Sequence, residues 1–340
     1  CVVATGGDRG VAKGEGGPYY FRARPAMLEV LTAAGVRVVS TANNHSGDYG
    51  PQAVLEQLQW LERTRIVQCR SGRNADEALR PALASAGPFT VAVFSVDSTQ
   101  PRFAAGPTLP GCAHLPPADP EAWRAVLAPR IAEIRERADV VLVAVHWGDN
   151  HRDEPAAAQV ALGKTLIEIG ADAVLGASAH RLQGIGTHQG RPIIFDAGDL
   201  LFDAKRNDGG FGGVFELEIG AGGVGRVVFV PVKVGFGQST ELAGEARSAA
   251  AERYATLCDA MGTSLLLRED GTAALELMPP ARPTRATRSS PPPLGYDLRA
   301  IRAPQPMPID APVQEVPIEA RLPQPQQLGP LRLLGLSVES

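Results

Sequence analysis

Three short aliphatic runs, Val36–Ser40, Val140–Val145 and Ala173–Gly176, each break off into a polar loop, with amphipathic helical patterns between them. Runs of this length and β-branched content read as buried strands. Strands that alternate with helices give a layered α/β fold. In a sheet of that kind, sites assemble beyond the carboxyl ends of the strands. The loops at those ends hold Asn43–Asp48, His146 and Ser178–His180. Groups far apart in sequence are therefore expected along one sheet edge.

The remaining pattern supports the same architecture. Helices are expected over Ala26–Ala34, stopped by Gly35, and from Pro51 to about Arg63, with others over Pro120–Arg137, Pro155–Ile169 and about Ala246–Met261. Glycine is a frequent stop because it tolerates the left-handed conformation, and proline suits a first helical turn. Further strands are expected at Phe89–Val96 and Pro192–Phe195, the latter ending at Asp196. Val214–Ile219 and Gly225–Val234 alternate like an antiparallel pair, and a hairpin is expected around Asp270-Gly271. Prolines crowd the chain from Pro279 onward. Residues 1–278 thus read as one domain. Residues 279–340 read as a Pro-rich linker, Arg282–Pro293, followed by an extension whose apolar stretch Leu322–Val338 forms a small module or a strap.

At 340 residues, 44% of them hydrophobic, the chain can bury a sizeable core. Its net charge of -4 and its lack of a long basic stretch exclude a nucleic-acid binder. The longest apolar runs, such as Val140–Val145 and Val227–Val232, are far shorter than a membrane span. The four cysteines form no CxxC pair and read as free thiols.

The strand-end residues suit metal chemistry. Neutral imidazole and amide oxygen are ligands for Zn, Mn or Fe. Two ions about 3.5–4 Å apart polarise a phosphoryl or carbonyl oxygen and supply hydroxide at neutral pH. Such a centre also calls for carboxylates to balance its charge. Each residue has a plainer reading too: a strand-end histidine is commonly structural, an Asn-rich loop is commonly a turn, and Asp196, Asp199 and Asp203 fit turn caps. The repeated placement at strand ends is what carries the functional reading.

The motifs also carry a resemblance. Ala42-Asn43-Asn44-His45 with Asp48-Tyr49-Gly50 resembles the ANNHxxDYG signature of the CapA (poly-γ-glutamate capsule biosynthesis) family. His146-Trp147-Gly148 resembles its HWG motif, and Pro155 and Gln159 stand where its P-x-x-x-Q opens the next helix. Gly170–Val174 resembles its GADxV, Gly176–Gln183 its G-H-x-P-H-x-x-Q segment, and Pro192–Asp203 its PIxYSxGNFxFD. The resemblance spans residues 1–235 or so. It implies a calcineurin-like metallophosphoesterase fold, an α/β/β/α sandwich of two mixed sheets flanked by helices. By position it implies Asn44, His146 and His180 as metal ligands, with Ser178 where the superfamily has a further histidine ligand. His45 is implied as a general acid or charge stabiliser oriented by Asp48. Asn43, Trp147, Asp196 and Asp199 would line the site.

Two departures qualify these roles. A serine hydroxyl is a much weaker ligand than imidazole, so Ser178 would hold a metal poorly or through water. The family's carboxylate ligands come from a G-D strand and an N-L-E segment, neither of which is in these residues. Cys1–Thr5 resembles the family's loop after N-L-E, so the chain is expected to start just after that Glu, with Cys1 an internal residue. The expected cofactor is two divalent ions (Mn, Fe or Zn) in the full-length protein, bound weakly or not at all by this stretch alone. The implied partners are an anionic polymer, a small phosphoester or amide substrate, and capsule-assembly proteins. The resemblance implies a cell-envelope location, while the residues themselves are equally compatible with the cytoplasm. Two functions fit: metal-dependent hydrolysis in polymer biosynthesis, or a non-catalytic accessory role on the same fold.

Overall fold

The computed structural model describes residues 1–7, 13, 19–202, 210–220 and 222–280, and the backbone of 331–334. These residues fall in one compact unit. The linker expected at Arg282–Pro293, most of Leu322–Val338, and Asp203 lie outside the described residues.

The chain opens with two short strands paired in parallel, β1 (Val2–Val3) and β2 (Arg22–Ala23). Helix α1 (Met27–Ala33) follows, then β3 (Val38–Ser40), α2 (Gly50–Thr64) and β4 (Val67–Cys69), which pairs in parallel with β3. Leu28 and Leu31 of α1 pack on Leu61 of α2 and on Ile66. Short β5 (Ser71–Gly72) and α3 (Ala75–Ala78) lead to β6 (Ala82–Ala86) and β7 (Phe89–Asp97), and β8 (Gly111–Cys112) returns to pair with β5.

Next come α4 (Pro120–Ile134), β9 (Val140–His146), α5 (Ala157–Glu168), β10 (Ala173–Ala177), β11 (Leu182–His188) and β12 (Arg191–Ala197). They complete a six-stranded mixed sheet in the order β11-β12-β10-β9-β7-β6. The four inner strands are parallel and the two edge strands antiparallel. Strand β9 is buried on both faces, which explains its unbroken aliphatic sequence. Val141, Val143 and Val145 meet Trp123, Leu127 and Ile131 of α4 and Leu162 and Leu166 of α5. Val140 and Leu142 face the opposite way, toward a second sheet.

That second sheet comprises β13 (Phe211–Gly220), β14 (Gly223–Gly235) and β15 (Gln238–Glu241). After α6 (Gly244–Ala260) it adds β16 (Leu266–Leu267), β17 (Ala273–Glu276) and β18 (Leu331–Leu334). Phe215, Leu217 and Phe229 of this sheet pack on Leu142 and Ile194 of the first, and Tyr254 and Cys258 of α6 close the same core. The layered two-sheet fold is as expected, with one refinement: every pairing in the second sheet is antiparallel. From β13 to β17 its strands are joined by hairpins and by α6 rather than by the crossovers a parallel pair requires. Within the apolar part of the tail, Leu331–Leu334 form β18, which extends this sheet beside β13. No described helix is long and apolar enough to cross a membrane.

The register fixes where the site lies. Asp97 of β7 stands opposite His146 of β9, and His146 opposite Ala177 of β10. The three strands therefore end level, and the loops beyond them leave from one edge.

Candidate functional site

The loop after β3 is shaped by its own short polar side chains. Asn43 Oδ1 accepts the His45 N–H at 2.9 Å, and Ser46 Oγ donates to the Thr41 carbonyl at 2.7 Å. Such local bonds are how Asn and Ser stabilise tight turns. Gly47 lies against the Phe103 ring, where a Cβ would come within 2.4 Å of Cδ1, so no larger residue fits. The turn brings His45 onto Asp48, with Nδ1 2.7 Å from Oδ2. Asp48 is fully buried; its Oδ2 also accepts the Phe21 N–H at 2.7 Å, and Lys13 Nζ lies 2.6 Å from Oδ1. The Phe21 ring meets the His45 ring edge-on at 4.5 Å. Burial pulls the His45 pKa down to about 4, against the opposing hydrogen bond that Asp48 accepts from the ring.

The neighbouring Asn44 points to a different strand. Its Oδ1 lies 3.1 Å from His146 Nε2 at the end of β9, a contact across 102 residues of sequence. Burial drives His146 well below the ordinary histidine range, and nearby His180 and His45 push it further down. At neutral pH His146 is a neutral imidazole, the form that binds metal.

The loop after β10 is strained. Ser178 has φ 127° and His180 φ 57°, conformations that favour glycine. Hydrogen bonds hold the loop there. Buried Asp196 accepts from Ala179 N at 2.7 Å and from Gly198 N at 2.8 Å, and His180 Nδ1 lies 2.8 Å from Asp199 Oδ1. Burial raises the Asp196 pKa to about 7, with the two backbone bonds opposing. Ser178 Oγ donates to the Gly148 carbonyl at 3.2 Å.

The structure thus joins Asn44 to His146, His45 to Asp48, and His180 to Asp199. It places Trp147 differently from a site-lining residue. Its indole is wholly buried and donates to the Phe195 carbonyl at 2.8 Å, bracing β9 against β12. Gln159 caps α5 by accepting the Ala156 N–H at 2.8 Å. Lys13 was not expected at the site. A lone lysine in a Gly-rich stretch carries no pattern that would have singled it out.

The donors themselves decide the fit to a divalent ion. Two donors about 3 Å apart match adjacent corners around one ion with bonds of roughly 2.1 Å. Asn44 Oδ1 and His146 Nε2 meet that spacing, and both are neutral. Among the described residues no group of three His, Cys, Asp or Glu side chains could hold a metal ion. The pair would supply one edge of a coordination sphere.

Comparison with known proteins bears on the same region. Over 217 residues the chain is 27% identical to the PGA biosynthesis protein CapA of Bacillus subtilis, covering 63% of this chain and 55% of that protein. Over 192 residues it is 31% identical to a "probable polyglutamine synthesis accessory protein" of Mycobacterium tuberculosis, covering 55% of this chain and 50% of that protein. The chain spans about half the length of these curated relatives. The family model described as bacterial capsule synthesis protein PGA_cap matches residues 1–204, a stretch that contains Asn44, His45, Asp48, His146, Ser178, His180 and Asp199. With the strand-end motifs, the layered fold and this match in agreement, the chain belongs to the bacterial capsule synthesis protein family PGA_cap.

Proposed function

We propose that this protein serves the synthesis of a capsule or poly-γ-glutamate-type polymer, and that its strand-end site acts on an anionic chain with the help of a divalent metal. The observation that carries the reading is the meeting of Asn44 and His146 at 3.1 Å, beside the His45–Asp48 pair. Asn44 and His146 are the residues that would hold an ion, with His180 contributing from the next loop. A bound ion would polarise a phosphoryl or carbonyl oxygen and activate water. His45, beside Asp48, would act as general acid or, as the neutral imidazole its low pKa of about 4 favours, stabilise charge on the leaving oxygen by a hydrogen bond. The substrate bond is then a phosphoester or an amide of a polyglutamate-like chain, and the working location is the cell envelope. The test is hydrolysis of phosphodiester and γ-glutamyl substrates by the protein with Mn²⁺, with His146→Ala as control. Activity that the substitution abolishes supports the reading, and activity that it leaves unchanged refutes a metal mechanism.

One observation favours a second reading, a polymer-binding accessory protein without catalysis. Ser178 stands at a ligand position and spends its hydroxyl on the Gly148 carbonyl. The mycobacterial relative's description as an accessory protein points the same way. Polymer binding without turnover under any metal would decide for it.

A further inference from the structure

The ring nitrogen of His45 that faces Asp48 has a second close neighbour. Lys13 Nζ lies 2.8 Å from His45 Nδ1, as well as 2.6 Å from Asp48 Oδ1 and 3.3 Å from the Asn44 carbonyl. The Lys13 side chain is 2% exposed. The Tyr20 and Phe103 rings lie 5.5 and 5.7 Å from its Nζ, and Gln100 Nε2 donates to its carbonyl at 3.4 Å. The lysine is thus built in on several sides.

Lys13 and Asp48 make opposite demands on His45 Nδ1. An ammonium group can only donate, and a carboxylate can only accept. With a proton on Nδ1, His45 donates to Asp48 but turns an N–H toward the ammonium at 2.8 Å. With Nδ1 bare, His45 accepts from Lys13 but turns a lone pair toward Asp48 Oδ2 at 2.7 Å. The opposing contacts differ by only 0.1 Å in length. Asp48 does not depend on the His45 proton, because Phe21 N donates to the same oxygen at 2.7 Å.

We propose that Lys13 is a positioning residue that competes with Asp48 for His45 Nδ1 and so moves the ring proton to Nε2. Lys13 then determines whether the ring can offer a proton from its outer nitrogen. The chemical consequence, a His45 ready to donate to a leaving oxygen, rests on the function proposed above. The placement of the proton does not, because it is a property of the resting protein.

The experiment is long-range ¹H–¹⁵N correlation spectroscopy of the histidine-labelled protein at neutral pH, without metal or substrate. The His45 signals are identified by their loss in His45→Gln. In the wild type the ring nitrogens should show a substantial Nε2–H population. Lys13→Met should move the ring to Nδ1–H, and Lys13→Arg, which keeps a cationic donor, should restore the wild-type pattern. A lysine that only supports packing would change thermal stability in Lys13→Met without moving the tautomer. Nδ1–H in the wild type, or one tautomer in the wild type and Lys13→Met alike, overturns the proposal. Should Lys13→Met fail to fold, the wild-type spectrum alone still tests it. Failure of the hydrolysis assay with a Lys13-dependent tautomer would count against the function and leave this inference standing.

Discussion

Two fully buried carboxylates, Asp172 and Asp48, sit at opposite ends of the fold and are held in different ways. Asp172 precedes β10, at the amino ends of the parallel strands. It accepts Val141 N at 2.8 Å and Arg135 Nη2 at 2.5 Å, and Arg191 at the start of β12 binds its other oxygen. Its charged partners are guanidinium groups, which stay charged at any working pH and suit planar carboxylates. Asp48 lies near the carboxyl ends. Its neighbours are a histidine, a lysine and a loop N–H. The first cluster stitches β9, β10 and β12 together through guanidinium groups on one buried carboxylate. The second uses groups that can exchange protons, on loops the sheet only anchors. One end of the sheet is tied by guanidinium–carboxylate pairs, and the other by groups that can exchange protons.

The largest expected effect tests the rigid end. Asp172→Asn removes the buried charge that faces Arg191, itself only 6% exposed. Breaking a buried pair costs about 3–5 kcal/mol, to be read as a lower denaturant midpoint. Asp48→Asn also breaks a buried pair, with Lys13 2% exposed, and should cost less, about 3 kcal/mol at the lower end of that range, because its partners are carried on loops. Equal losses at the two positions would erase the distinction.

A smaller effect separates the ends by pH. His45 is depressed to about 4 and His146 also lies well below its ordinary value. An unfolded histidine titrates near 6.5. Between roughly pH 6.5 and 4 these two histidines therefore bind more protons in the unfolded chain than in the native one, and their contribution to stability falls as pH falls through that window, while Asp196, raised to about 7, contributes with the opposite sign. His146→Gln should flatten the slope measured by urea unfolding across this range. Asp172→Asn should lower the whole curve without changing its slope there.

The smallest effect concerns the strained loop. Ser178→Gly should stabilise the protein by about 1 kcal/mol through relief of the positive φ. Differential scanning calorimetry would show it as a modest rise in Tm. A fall in Tm would mean that the Ser178 bond to the Gly148 carbonyl outweighs the strain.

The two ends also differ in how far the sequence reveals them. Strand β9, which carries His146, was readable because burial on both faces makes its run Val140–Val145 continuously aliphatic. The edge strands were harder. Strand β6 is Ala-rich, with little β-propensity. Strand β11 is interrupted by Gly184, which is required because a Cβ there would meet the Leu257 carbonyl of α6 at 2.2 Å. That demand comes from packing remote in sequence. Asn44, His45, Asp48, His146 and His180 were legible as motif positions. Arg135 and Arg191, which complete the Asp172 cluster, were not, because their role depends on contacts across 37 and 19 residues. Lys13 escaped for the same reason.

The central claim is that Asn44 and His146 form one edge of a divalent-cation site. Its most direct test is a Mn²⁺ titration of this protein followed by electron paramagnetic resonance, with His146→Ala in parallel. The account predicts a single weakly held ion, lost on desalting and absent in His146→Ala. Two tightly held ions, or Mn²⁺ binding indifferent to His146→Ala, would contradict it.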